Sequence, residues 1–150
     1  MIQQYSTEQQ LNTDLETAWQ FFSSADNLPK ITDPKMNFKV LSHFEDDSIF
    51  EGMLIDYKVT PLLGIEMSWQ TEIIQVDFQK SFTDFQKKGP YKLWKHFHEF
   101  FPNENGVLMK DTVDYEIPFG FLGEIANGLL IRNKIKEIFD YRRKILKDLF

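Results

Sequence analysis

From Met36 onward the chain alternates apolar and polar residues for about eighty positions, and no other feature narrows its fold as much. The runs NFKVLSHF, SIFEGMLIDYKVTP, IEMSWQTEIIQVDF, SFTDFQKKG, LWKHFHEFF and VLMKDTVDYEIPF all show the period of a β-strand. They are separated by EDD, PLLG, QK, GP and PNENG, whose residues favour turns. Links this short leave no room for the crossover that parallel neighbours need, so the strands are expected to be antiparallel. Residues 2–11 have a similar mixed, β-favouring character, which brings the expected number of strands to about seven.

Helical periodicity brackets this region. Thr13 followed by Glu16 reads as a capping box, and Leu15, Ala18, Trp19 and Phe22 recur at helical spacing behind it. Asp26, Asn27, Pro29 and Pro34 then allow only a short second helix, at Ala25 to Ile31. After Pro118, Leu122, Ile125, Leu129, Ile138, Phe139, Arg142, Ile145, Leu146 and Leu149 form one broad stripe. Gly120, Gly123 and Gly128 loosen its start, so the firm helix is expected from near Ile125. Arg142, Arg143, Lys144 and Lys147 read as a solvated helix end, where the macrodipole favours cations.

These elements predict an α+β domain spanning residues 1–150: a strand, one or two short helices, six strands and a long terminal helix. A helix is about 10–12 Å wide, and seven strands at about 4.8 Å spacing are much wider. The sheet must therefore curl around the helix to bury its inner face, a helix-grip arrangement that tends to leave an apolar void between the two. Such voids, lined by a few polar groups, are where small molecules bind.

Composition closes off other classes. A formal net charge of −6 argues against a surface that neutralises phosphates, so no nucleic-acid partner is expected. The absence of cysteine removes disulfides, thiol nucleophiles and thiolate metal sites, and it fits a reducing cytoplasm. MIQQYSTEQQ does not read as a signal peptide. PFGFLGEIANGLLI is interrupted by Glu124 and Asn127, so no membrane span is expected.

The chain as a whole resembles the START-like, or SRPBCC, superfamily. LETAWQFFSSADNLPKITDP is similar to that family's first helix and following turn. YKVTPLLGIEMSWQT, FTDFQKKGPYKLWKHFHEF, DTVDYEIPFG and IFDYRRKIL resemble a bacterial branch of small single-domain members. Some relatives in that branch carry ligand-binding or cell-division-inhibitor-like labels. The resemblance implies a helix-grip fold around a hydrophobic ligand cavity. It is weak as a guide to biochemistry, because this fold hosts carriers, cyclases and hormone receptors.

Strand alternation proposes the lining. Trp94, His96, His98 and Phe100 share one face of their strand, as do Met109, Asp111, Val113 and Tyr115, with the wet set Lys110, Thr112, Asp114 and Glu116 opposite. A hairpin through PNENG sets His96 across from or diagonal to Asp111, so a contact between them is expected, with Trp94 near Val113. Ile65, Met67, Trp69 and Thr71 are placed inward by the same rule. The resemblance adds Phe82, Asp84 and Gln86, which alternate correctly to share a face. Trp19 and Phe22 read as core between helix and sheet, and His43 as a surface residue.

Three roles remain open for the polar cluster: a satisfied buried network, recognition of a ligand's polar end, or acid–base chemistry on an apolar substrate of the cyclase or dehydratase type. No nucleophile motif supports the third, and no cofactor is called for. His96 and His98 could take a metal with Asp111 or Asp84 as a third ligand, but the aromatic flanks suit packing better. The leading expectation is a non-enzymatic module that binds a hydrophobic or lipid-like small molecule. Trp69, Trp94, Met67, Phe100 and Tyr115 would be its walls. A ligand-free interaction module using Phe97 and Phe101 on the outer face is the remaining alternative.

Overall fold

Each alternating run pairs with its neighbour in the computed structural model of the protein, which describes residues 1–45, 48–62, 64–118 and 130–150. The strands are β1 (Gln3–Leu11), β2 (Lys39–Val40), β3 (Leu54–Leu62), β4 (Ile65–Asp77), β5 (Ser81–Lys88), β6 (Leu93–Asn103) and β7 (Gly106–Glu116). They form one antiparallel sheet in the order β1-β7-β6-β5-β4-β3-β2. Six strands are thus a meander, and β1 closes it by pairing with the last of them. The run NFKVLSHF supplies only the two residues of β2. Beyond it the Ser42 hydroxyl accepts the Asp56 N–H at 2.8 Å, taking a donor that another ladder rung would use.

Helix α1 (Leu15–Phe22) starts at Asp14 and not at Thr13. The Asp14 carboxylate accepts both the Thr17 N–H (2.7 Å) and its hydroxyl (3.1 Å), satisfying a free donor of the first turn more fully than a threonine would. The expected short helix is a 3-10 segment, Ala25–Ile31, followed by another at Pro34–Met36. Helix α2 runs over Arg132–Leu149. Its expected start near Ile125, together with Leu122, Leu129, Gly120, Gly123 and Gly128, lies outside the described residues.

The two halves of the sheet are covered by different elements. Over β1 and β7, Ile135 and Phe139 of α2 pack with Val113, Tyr115 and Tyr5, while Leu146 joins Leu11, Met109, Trp19 and Phe100. Over β3 and β4, Ala25 of the 3-10 segment packs with Met53, Ile55 and Ile73. Register shifts between Gln70 and Thr71 and between Ile73 and Gln75 bend β4 against β5. They also end strict alternation: Trp69, Thr71 and Ile73 are buried, after which Val76 turns inward. Ile65, expected inside, is 58% exposed because it sits at the tip of the β3–β4 hairpin, paired with Leu62.

Gly106 closes the β6–β7 hairpin at φ +126°, paired with Asn103. A Cβ there would lie 2.3 Å from the Leu11 carbonyl oxygen and 2.8 Å from that of Thr13. Gly106→Ala is therefore expected to cost more than about 1 kcal/mol. A thermal melt checks this, at about 2–4 °C per kcal/mol for a chain of this size. An unchanged melting temperature would show that this turn relaxes freely.

Candidate functional site

Between the two coverings lies a cavity of about 170 Å³. Its walls combine Trp69, Tyr57, Phe82 and Trp94 from the sheet, Leu28 and Phe38 from the 3-10 connection, and Ile138, Phe139 and Arg142 from α2. Asp84, His96 and His98 form its polar end. Trp69 is packed edge-on to Trp94 (5.5 Å) and Tyr91 (5.7 Å) and stacked on Tyr57 (5.9 Å). Its indole N–H is buried without a hydrogen-bond partner. The Tyr57 and Thr71 hydroxyls bond to each other at 2.8 Å, and burial, with a contribution from Asp84, pushes the Tyr57 pKa up.

The polar end is built by backbone register and then crossed by the side chains. His96 pairs across the backbone with Asp84 on one side and Val113 on the other, and His98 pairs with Phe82 and Asp111. Each imidazole nevertheless bonds to the diagonal carboxylate: His96 Nε2 to Asp111 at 2.7 Å, and His98 Nε2 to Asp84 at 2.6 Å. Diagonal neighbours on one sheet face are within reach of long side chains. The two rings also stack on each other at 3.6 Å. Phe82 continues the stack over His98 at 4.0 Å, and Phe139 meets His96 edge-on at 5.5 Å. The expected contact between His96 and Asp111 is present; Trp94 lies across from Tyr115 and not Val113.

Charge in the cluster nearly balances. Asp111 is 2% exposed, so burial alone would raise its pKa. The Arg142 guanidinium, 3.9 Å away, and the two imidazoles overcome that and hold it well below the usual carboxylate range. Asp84 is penalised by burial in the same way, yet His96 and His98 keep its pKa lowered. Its side chain retains 18% accessibility while lining the cavity, so it is enclosed by protein and still reachable from the void. Burial and the neighbouring His98 push His96 down. His98 meets the same burial penalty, but the Asp111 carboxylate 3.3 Å away and the bond to Asp84 leave its pKa raised. Two carboxylates and one guanidinium leave a single negative charge, which one proton on His98 neutralises. A neutral His96 facing an ionised Asp111 must donate through Nε2, because a carboxylate only accepts.

Of the residues proposed from sequence, Trp69, Asp84, Trp94, His96 and His98 line the cavity. Asp111 stands behind the imidazoles, away from the cavity wall. Phe100 and Met109 belong to the apolar core around Trp19, and Tyr115 packs with Val113 and Ile135. Met67 is half-buried near the hairpin tip. The Gln86 amide is committed elsewhere: Nε2 donates to the Tyr91 carbonyl (2.8 Å) and Oε1 accepts the Tyr91 N–H (3.0 Å), closing the turn before β6. Phe22 is core, as expected, and also reaches the cavity; His43 is exposed.

Two contributors were missed. Arg142 is 8% exposed beneath Phe22 and Phe139, not solvated with its basic neighbours. Its place within the apolar stripe of α2 was the available signal. The 3-10 connection also supplies wall residues, and Leu28, Ile31 and Phe38 among prolines were the hint.

No protein-family model and no curated protein matches the chain. Solved structures do. A START superfamily protein from Mycobacterium smegmatis aligns over 99% of both chains with a TM-score of 0.71 at 12% identity. Protein CV1439 from Chromobacterium violaceum aligns over 95% of this chain and 94% of its own, with a TM-score of 0.71 at 12% identity. Ginseng major latex-like protein 151 from Panax ginseng aligns over 98% and 96%, with a TM-score of 0.69 at 13% identity. The chain has the START-like, or SRPBCC, helix-grip fold. No helix among the described residues is long and apolar enough to cross a membrane.

Proposed function

We infer that the protein is a non-enzymatic module, working in the cytoplasm, that takes a small, flat, apolar molecule into the cavity between sheet, 3-10 connection and α2. The observation that carries this reading is the buried Trp69 N–H without a partner, set in an aromatic wall. An unmade buried hydrogen bond costs about 1–3 kcal/mol, and an acceptor on a bound molecule relieves it. Size sets the class of ligand. A cavity of roughly 150 Å³ admits one benzene ring, and this one, at about 170 Å³, is of that scale. One or two rings bearing a hydroxyl or carbonyl fit better than an extended lipid chain. His98 and Asp84 at the polar end of the cavity supply a hydrogen-bonded pair to orient a second polar group.

2-Naphthol is a suitable probe. Titrating it is expected to quench the fluorescence of Trp69 and Trp94 with one-site saturation. Ala25→Leu, which adds bulk at the cavity wall, should abolish saturation while the circular dichroism spectrum stays native. No saturable quenching in the native protein, or saturation unchanged in Ala25→Leu, would overturn the reading.

A further inference from the structure

The geometry points to a divalent transition-metal site at the polar end of the cavity, with Asp84, His96 and His98 as its protein ligands and Asp111 as the outer partner of both imidazoles. One donor atom from each of the three ligands lies within 4.8 Å of the others. Asp84 Oδ2 is 2.6 Å from His98 Nε2 and 3.7 Å from His96 Nδ1. The second nitrogen of each ring is turned to a single oxygen, Asp111 Oδ1, at 2.7 Å for His96 Nε2 and 3.3 Å for His98 Nδ1. Every imidazole thus has one nitrogen on the Asp84 side and one on the Asp111 side. Metal-binding histidines are held in this way, with the non-ligating N–H given to a carboxylate that fixes ring orientation and raises basicity.

Three further observations favour the assignment. His98 Nδ1 is buried and lacks an aligned acceptor, although Asp111 is close enough to become one. Asp84 and Asp111 set two carboxylates against the single guanidinium of Arg142, an excess of acidic groups that favours a bound cation. The ligands stand on adjacent paired strands, and Phe82 stacked on His98 limits its movement. The aromatic flanks that argued for packing therefore also hold the ligands in place. Ligand atoms around a tetrahedral ion at about 2.1 Å lie roughly 3.4 Å apart, so an entering ion would replace the short bond between Asp84 and His98, opening that pair by somewhat under an ångström, while His96 Nδ1 at 3.7 Å from Asp84 is already near its place. Two nitrogens and one oxygen suit zinc and its first-row neighbours. Since all three ligands line the cavity, a remaining coordination position would face it and be open to a donor atom of a bound molecule.

Metal binding at these residues does not depend on which organic molecule fills the cavity, so the metal titration uses none. Protein dialysed against a chelator and titrated with Co²⁺ is expected to develop visible d–d absorption that saturates at one equivalent and is displaced by Zn²⁺. His98→Ala and Asp84→Asn should each abolish the band, and Asp84→Asn, at a partly accessible position, keeps the test valid if the histidine variant is unstable. Asp111→Asn should keep the stoichiometry and weaken affinity by about 10–100-fold, as loss of an outer partner does. His43→Ala, at an exposed site, should bind as the native protein does. Absence of a saturable band, its persistence in Asp84→Asn, or its loss in His43→Ala would overturn the assignment. A protein silent to Co²⁺ that still binds 2-naphthol would overturn this site alone.

Discussion

Replacing Asp111 with alanine is expected to destabilise the fold by about 3–5 kcal/mol, the cost of leaving a buried partner charge uncompensated. At about 2–4 °C per kcal/mol, the melting temperature should fall by roughly 10 °C. Asp111 has this weight because three groups depend on one oxygen: His96 Nε2 at 2.7 Å, His98 Nδ1 at 3.3 Å and Arg142 Nη2 at 3.9 Å. All three side chains are at most 10% exposed, so water cannot take over. Urea denaturation measures the loss, and the double variant Asp111→Ala with Arg142→Met tests its cause. Removing both charges should cost less than the sum of the single changes, because the orphaned guanidinium is gone. Strict additivity, or a loss below about 1 kcal/mol in the single variant, would mean that the carboxylate does not hold the cluster together.

The same carboxylate sets a pH dependence. Its pKa is lowered in the folded protein, so the unfolded chain binds the proton more readily and stability increases with pH through that interval. The contribution is complete above the unfolded value of about 3.9, and it is lost as pH falls toward the folded value. The gap between native protein and Asp111→Ala should therefore narrow in acid.

How far the sequence reached depended on how far local rules reach. The contact between His96 and Asp111 was legible because PNENG joins their strands by a tight turn, which fixes register over many residues. The contact between His98 and Asp84 was not, because β5 reaches β6 through a longer link whose register depends on Gln86 bonding to the Tyr91 backbone. Alternation placed Trp69 and Thr71 correctly, then lost phase at the irregularity between Ile73 and Gln75, which no residue type announces. Phe100, Met109 and Tyr115 do face inward as alternation requires, and burial is all that alternation can promise. Whether an inward residue meets a void or another side chain depends on α1 and α2, whose placement is tertiary. Arg142 was misread for the same reason: its position on the helix surface was evident, but the two carboxylates beneath it come from β5 and β7.

That distinction between core and wall has a measurable consequence. Trp19 and Trp69 are both nearly enclosed, at 5% and 8% exposure, so area alone predicts similar losses on truncation. Their surroundings differ. Trp19 is met edge-on by Phe78, Phe82 and Phe100 within 5.8 Å and packs in the cluster that contains Leu11 and Leu146. Trp69 has aromatic neighbours too, but it also borders the cavity, where no atoms contribute dispersion. Trp19→Ala is expected to cost about 3–5 kcal/mol, as loss of a large packed aromatic does. Trp69→Ala should cost less than about 3 kcal/mol, because part of the space it leaves merges with a void already present. Binding should follow the opposite order: 2-naphthol uptake, read from the remaining Trp94 fluorescence, is expected to fail in Trp69→Ala, which loses both the ring wall and the unpartnered N–H. A Trp69→Ala protein destabilised as much as Trp19→Ala, with uptake intact, would make Trp69 a core residue and move the binding site elsewhere.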